Sequence, residues 1–192
     1  DINEIYTQSN SNRRPLDTGS AYSFDGGDWL ASGAEHTLDT SNGGWTMVVR
    51  YAADDWTVSD AILGDDSANN TFIKNNGNSG LSVKAYDGSS ISTKGLAFDD
   101  PATLTNLTFY NIVLTCDSTG EMFCFIDNVK QAATPNFPNN GYDLILDEVG
   151  GKNGNTMQFT GDVHEVLLFN TYLTDIQCYD VSKYLQVKFI AL

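Results

Sequence analysis

The chain has 192 residues, of which 41% are hydrophobic, so it can form one domain with a complete core. Its formal net charge is -15, from 25 acidic and 10 basic residues. A surface this negative repels phosphate backbones, which argues against nucleic acid and anionic membranes as partners, and no apolar run approaches the ~20 residues of a membrane span.

The first segment, residues 1–20, is polar and irregular and is predicted to be an N-terminal arm or linker. The chain begins at Asp1 without a methionine, which favours a processed product or a piece of a longer chain. Ordered structure is expected from Ala21, so the predicted domain spans residues 21–192.

Short apolar runs separated by turn residues predict β-strands along most of the chain. These runs occupy residues 45–51, 71–74, 81–86, 110–116, 122–126, 143–146 and 163–169. Asn76-Gly77, between the second and the third run, is a strong signal for a β-hairpin.

The cysteines are Cys116, Cys124 and Cys178, and the first two flank a turn that contains Gly120. If Gly120 centres the turn, Cys116 and Cys124 face each other across the hairpin and can form a disulfide. If the loop is one residue shorter, the two side chains point to opposite faces and cannot. Cys178 is expected to lie inside, unpaired.

One helix is predicted, and it closes the chain. Thr174 and Gln177 have the spacing of a capping box, and Leu173 can pack on Cys178 as a hydrophobic staple. Strands, turns and one terminal helix predict an all-β fold, an antiparallel two-sheet sandwich with a short C-terminal helix.

Three segments of the chain carry a family resemblance. They read Phe-Asp-Gly-Gly-Asp-Trp-Leu at 24–30, Phe-Cys-Phe-Ile-Asp-Asn at 123–128, and Gly-Asp-Val-His-Glu-Val-Leu-Leu-Phe-Asn at 161–170 followed by Leu-Thr-Asp at 173–175. In this order they resemble laminin-G-like modules of the concanavalin A-like lectin/glucanase superfamily, although Asn128 stands where those modules usually have glycine. The resemblance implies a concanavalin A-like jelly roll. Such modules mostly bind glycans, other proteins or surfaces, and they occur on secreted proteins, adhesins and viral fibres.

The sequence lacks the catalytic patterns of that superfamily. Its glucanases carry Glu-x-Asp-x-x-Glu on one strand, which projects carboxylates onto one face. Here Asp147 and Glu148 are adjacent and point to opposite faces, and Glu165 has no acidic partner two residues away. The strand patterns of the related polysaccharide lyases are also missing. We therefore expect that the protein is not an enzyme, with a glycan hydrolase or lyase as the third alternative.

A structural Ca²⁺ site is predicted at the turn from Asp25 to Asp28, which offers two carboxylates and flexible carbonyl oxygens. In the modules that the chain resembles, this turn lies against the closing strand, so Asp162 is expected to complete the site. The alternative is that Asp25 and Asp28 only form the turn through their side chains. The acidic pairs at 54–55 and 65–66 are the next candidates.

A glycan site needs an exposed aromatic ring beside hydrogen-bonding groups. Trp56 next to Asp54 and Asp55, and Tyr142 in an Asn-rich loop, have this composition. These four residues form the predicted ligand site. The alternative is that each ring folds back onto the sandwich.

Two functions compete. The first is a non-catalytic module that recognises glycans or surface glycoconjugates in adhesion. The second, favoured by the polar arm and the missing methionine, is a structural or assembly domain of a viral particle, tail or fibre protein. Such a domain would contact other copies of itself or a larger parent assembly. Both place the chain in an extracellular setting, at a cell surface or at a virion surface.

Overall fold

The computed structural model describes residues 14–67, 71–99, 104–137, 142–153 and 156–190. These residues form two antiparallel sheets and one C-terminal helix, so the predicted all-β two-sheet jelly-roll sandwich is confirmed. Residues 1–13 of the predicted arm lie outside the described part of the chain. Within that part, no helix has both the length and the apolar character needed to cross a membrane.

The strands are numbered in chain order. In spatial order the first sheet contains β1 (Leu16–Asp17), β2 (Tyr22–Asp25), β13 (Thr160–Phe169), β4 (Gly44–Ala53), β9 (Tyr110–Asp117), β10 (Met122–Ile126) and β11 (Val129–Lys130). The second contains β3 (Leu30–Leu38), β12 (Leu144–Val149), β5 (Ala61–Gly64), β6 (Phe72–Asn75), β7 (Gly80–Tyr86) and β8 (Ile91–Ala97). A short 3-10 helix (Thr40–Asn42) precedes β4, and helix α1 (Asp175–Ile190) follows β13. Strands far apart in sequence, such as β4 and β13, are direct neighbours.

The core lies between the two sheets, and β4 shows how the sequence builds it. Met47, Val49 and Tyr51 are fully buried in the inter-sheet core, whereas Val48 faces the other way, into a second apolar cluster. A strand buried on both faces explains why residues 45–51 carry so few polar side chains. The central strand of the seven-stranded sheet is therefore sandwiched between the core and another layer.

The β9–β10 hairpin follows neither of the two alternatives predicted for Cys116 and Cys124. Cys116 pairs with Met122, and Cys124 pairs with Leu114, so the two cysteines share a face but are offset by two residues. Diagonal Cα atoms in such a ladder are ~7–8 Å apart, which is beyond the usual reach of a disulfide. Both cysteines are buried free thiols, as is Cys178.

Helix α1 supplies the extra layer over the seven-stranded sheet. The Gln177 side chain accepts hydrogen bonds from the backbone N–H and the hydroxyl of Thr174, at 2.9 Å each, so the predicted capping pair forms. Cys178 and Leu185 of α1 pack on Val48, together with Val113 and Phe125 of the neighbouring strands. The helix thus covers the outer face of β4, β9 and β10.

Candidate functional site

The Trp56 ring is packed inside the protein. Its side chain is 1% exposed, and its centroid lies 4.9 Å from that of Tyr51 and 5.6 Å from that of Tyr110. The indole N–H donates to the carbonyl of Thr105 at 3.2 Å. The structure therefore corrects the expectation of an exposed stacking platform at Trp56, because a loop from another part of the chain covers the ring.

The acidic residues before Trp56 serve the local turn. The Asp55 carboxylate accepts hydrogen bonds from the backbone N–H and the hydroxyl of Thr57, at 2.9 and 2.7 Å. The Thr57 hydroxyl is the main reason that the pKa of Asp55 is lowered. Asp54 is exposed, and its backbone N–H donates to the carbonyl of Thr160 at 3.1 Å. Neither carboxylate is placed beside an open aromatic ring.

Tyr142 also folds back onto the sandwich, contrary to the expectation of an exposed ring. Its side chain is 4% exposed and stacks on Phe137 with the ring centroids 5.1 Å apart. Its hydroxyl lies 3.4 Å from the hydroxyl of Ser90. Residues 138–141, the Asn-rich stretch before it, lie outside the described part of the chain. The two predicted aromatic platforms are therefore core residues.

The turn between Asp25 and Asp28 is held by its own side chains. The Asp25 carboxylate accepts from the N–H of Gly27 at 2.9 Å, and the Asp28 carboxylate accepts from the N–H of Asp25 at 3.3 Å. Burial, followed by repulsion from Asp25, raises the pKa of Asp28. The β2–β13 register pairs Asp25 with Thr160, which puts Asp162 on the same face and one diagonal step away.

A different acidic cluster joins distant parts of the chain. Carboxylate oxygens of Asp65, Asp66 and Asp147 lie within 4.8 Å of one another. The Asp66 backbone N–H donates to Asp147 at 3.1 Å, across 81 residues of sequence. Burial, and then the neighbouring Asp66 carboxyl, raises the pKa of Asp147 to about 7.

The outer side of the six-stranded sheet presents a mixed aromatic and polar surface. The inward side chains of β7 belong to the core: Leu81, Val83 and Ala85. The remaining side chains face outward beside their partners on β8, and we call this surface the open face: Ser82, Lys84, Tyr86, Ile91, Thr93 and Gly95. Helix α1 packs on the opposite sheet, and most open-face residues are exposed or half-buried.

Tyr86 is the aromatic residue of the open face. It is half-buried, and its hydroxyl donates to the carbonyl of Gly88 at 2.7 Å, which fixes the ring. Ile91 lies directly opposite and is 44% exposed, while Thr93 lies opposite Lys84. A ring with an apolar neighbour, a hydroxyl and an ammonium group can contact one face of a flat ligand and donate hydrogen bonds at its edge.

Sequence reasoning missed this surface, although a signal was available. The strand at 81–86 was predicted, and strict alternation puts Ser82, Lys84 and Tyr86 on one side. The sequence does not predict the partner strand β8, so it indicates only the β7 half of the open face.

Comparison with known proteins finds similarity in structure only. No family model matches the chain, and no curated protein matches it. The binding domain of Paraclostridial Mosquitocidal Protein 1 superposes with a TM-score of 0.64 at 9% identity, over 95% of this chain and 48% of that chain.

Two other solved structures share the architecture. The CBM40 module of the Ruminococcus gnavus IT-sialidase, bound to alpha2,3 sialyllactose, has a TM-score of 0.54 at 15% identity, over 74% of this chain and 84% of that chain. A heptameric SAP-like pentraxin from Limulus polyphemus has a TM-score of 0.55 at 14% identity, over 77% of this chain and 72% of that chain. All three are concanavalin A-like jelly rolls, which is the fold of this chain.

Proposed function

We propose that this chain is a non-catalytic binding module that recognises glycans or glycosylated surfaces in adhesion. The observation that carries the proposal is the open face. One sheet is covered by α1, whereas the other presents a fixed tyrosine ring between an apolar side chain and hydrogen-bonding groups. Saccharides bind on surfaces where an aromatic ring contacts the C–H face of the sugar and polar groups meet its hydroxyls.

The structural neighbours support the proposal by precedent. One is a carbohydrate-binding module bound to sialyllactose, and another is the binding domain of a toxin. Identities of 9–15% carry the fold and not the ligand. Within the jelly-roll fold, the assignment to laminin-G-like modules rests on the sequence segments at 24–30, 123–128 and 161–175. An extracellular, cell-surface or virion-surface setting follows from the same proposal. The domain at residues 21–192 stays a prediction, and Leu16–Asp17 of the predicted arm pair with β2 as the edge strand β1.

A glycan array tests the proposal directly. We expect the wild-type chain to bind a restricted set of glycans, and Tyr86→Ala to lose that binding, because truncation removes the ring. Tyr184→Ala is the matched control, since Tyr184 is 55% exposed on α1, over the other sheet. Thermal melts establish that both variants are folded. Absence of binding to any glycan at high protein concentration, or equal losses in both variants, would refute the proposal.

The second candidate is a structural or assembly domain of a viral particle, tail or fibre protein. It is favoured by β1, the described end of the predicted arm. This strand pairs only through Leu16 and Asp17 at the edge of the seven-stranded sheet, and Leu16 is 69% exposed. Exposed sheet edges pair with further strands. Sedimentation of the full chain decides: a stable trimer or polymer that dissociates in Leu16→Asp favours assembly, and a monomer at all concentrations argues against it.

A structural Ca²⁺ at Asp25, Asp28 and Asp162 is part of the proposal. Repulsion between Asp25 and Asp28 is the condition that a divalent cation relieves. The shared face of Asp25 and Asp162 is compatible with a common ligand set. An ion held there would tie β2 to β13, which are neighbours in the sheet but far apart in sequence.

A further inference from the structure

Three lysines surround one aromatic ring at the border of the open face. The ammonium nitrogens of Lys74, Lys84 and Lys152 lie 5.6, 5.7 and 5.2 Å from the ring centroid of Phe72. The chain has 10 basic residues in all, so a large share of its positive charge is gathered at this point of an otherwise acidic protein. The ring itself is 6% exposed.

The fold builds this lysine cluster from three separate segments. Phe72 pairs directly with Lys84 across β6 and β7, and Lys74 lies two residues from Phe72 on the same outward side. Lys152 arrives from the loop after β12, which crosses β5 at Gly64, the β5 partner of Phe72. A Cβ at Gly64 would overlap the Gly151 carbonyl and come within 2.8 Å of Lys152. The missing side chain at Gly64 is therefore what lets Lys152 reach the ring.

Among the described residues, no carboxylate forms an ion pair with the cluster. In the part of the chain that the structure describes, the ion pairs use Lys130 and Lys188, and no hydrogen bond or ion pair reaches the ammonium groups of the cluster. Lys152 is only 8% exposed, so most of its side chain is packed against the protein. Burial, and then repulsion by Lys84 and Lys74, lowers the pKa of Lys152.

Contact with the Phe72 ring compensates for only part of the repulsion among the three ammonium groups. A cation–π contact contributes roughly 0.5–2 kcal/mol, and three cations share one ring here. Glu148 lies on the same outward row of the sheet, since it pairs with Gly64, the β5 partner of Phe72. Among the described residues, no ion pair joins it or another carboxylate to the three ammonium groups. The arrangement is that of a site whose counter-charge comes from outside.

We infer that Lys74, Lys84 and Lys152 form a subsite for an oxyanion, a carboxylate or sulfate group carried by the bound glycan. The inference deepens the proposed function and rests on it for the glycan, while the oxyanion chemistry stands on the cluster itself. Each ammonium offers three donors, and charge-assisted hydrogen bonds are stronger than neutral ones. The net charge of -15 repels extended polyanions, so a single acidic group is selected over nucleic acid.

The first experiment uses inorganic sulfate, which needs no knowledge of the glycan. Backbone amide NMR shifts of the full chain are followed during titration with sodium sulfate, and with sodium chloride at equal ionic strength. We expect saturable shifts around Phe72 and Lys152 with sulfate alone. Lys152→Met should weaken this binding roughly tenfold or more, because a charge-assisted contact is lost. Lys183→Met, on the exposed surface of α1, should leave it unchanged.

Lys84→Met is a second variant in case Lys152→Met does not fold, and it should show the same loss. The second experiment compares acidic and neutral members of a glycan array. We expect the wild-type chain to bind acidic glycans more tightly than neutral ones. This preference for acidic glycans should be abolished in Lys152→Met or Lys84→Met.

The outcomes separate the two proposals. Equal responses to sulfate and chloride overturn the oxyanion subsite, and any glycan binding by the open face then stands without it. Sulfate binding at the cluster with no glycan bound on the array supports the subsite and contradicts the proposed function. Glycan binding that ignores acidic groups and survives Lys152→Met also overturns the subsite.

Discussion

Asp147 is the residue whose titration we expect to control stability near neutral pH. It is 9% exposed, and burial and the Asp66 carboxyl raise its pKa to about 7, above the ordinary 3.8. The folded state therefore binds this proton more tightly than the unfolded chain does. The stabilisation is fully present below the ordinary pKa and is lost as the pH rises from about 4 through about 7.

The variant Asp147→Asn tests this expectation. It keeps an acceptor for the Asp66 N–H and removes the charge. Urea unfolding at about pH 8 should show the variant more stable than the wild type by on the order of 2 kcal/mol, and the difference should vanish near pH 4. Asp180→Asn, exposed on α1, should show no such pH-dependent difference. A constant difference at all pH values would contradict the assignment.

At the same scale, the predicted ligand residues show what sequence alone misses. Trp56 follows two aspartates, which suggested an exposed loop, yet the Thr105–Asn106 segment closes over it with two hydrogen bonds. The two residues of that contact are 50 positions apart in the sequence. The cluster of Asp65, Asp66 and Asp147 depends on a similar long-range pairing. Local composition carries no information about such partners.

At the scale of elements, α1 is expected to stabilise the sheet that it covers. Leu185 is fully buried against Val48, whereas Val187 on the same helix is 63% exposed. Leu185→Ala should lower the free energy of unfolding by about 2–5 kcal/mol, because it opens a cavity under the helix. Val187→Ala should change it by less than about 0.5 kcal/mol. Chemical denaturation measures both, and equal effects would mean that the helix is not docked as described.

The elements that were predicted from the sequence have strong local signals. The run at 45–51 is apolar on both faces, Asn76-Gly77 lies in the loop that joins β6 to β7, and Gln177 accepts from the Thr174 N–H at the start of α1. The missed strands lack such signals. β8 buries only Leu96 fully, because it is an edge strand, and β5 has four residues. Their strand conformation is imposed by neighbouring strands and not by their own sequence.

At the scale of the whole molecule, bound calcium should join two strands that are far apart in sequence. If Ca²⁺ binds only the folded state, it adds ~2.7 kcal/mol when free calcium is one hundred times the dissociation constant. The melting temperature in millimolar calcium should then be higher than that in EDTA by roughly 5–11 °C for a domain of this size.

The variant for the calcium experiment is Asp28→Asn, which keeps the turn hydrogen bond to Asp25 and removes one charge. It should abolish the difference between the calcium and EDTA melts. Identical wild-type curves in both conditions would end the calcium proposal. A difference that persists in Asp28→Asn would move the ion to the acidic pair at 54–55 or at 65–66.

If the open face binds glycans as proposed, the one-sided covering by α1 also sets the number of binding sites in each copy of the protein. With the helix packed over β4, β9 and β10, a single copy has one open sheet face and therefore one attachment point of this kind. A complex held by a single saccharide contact on a shallow sheet dissociates quickly. Lasting attachment to a decorated surface then requires several copies held together, since linked contacts can raise the overall affinity by roughly 10²–10⁴ without any new interaction. A monomer would bind a glycan-covered surface only transiently, whereas several linked copies would stay bound.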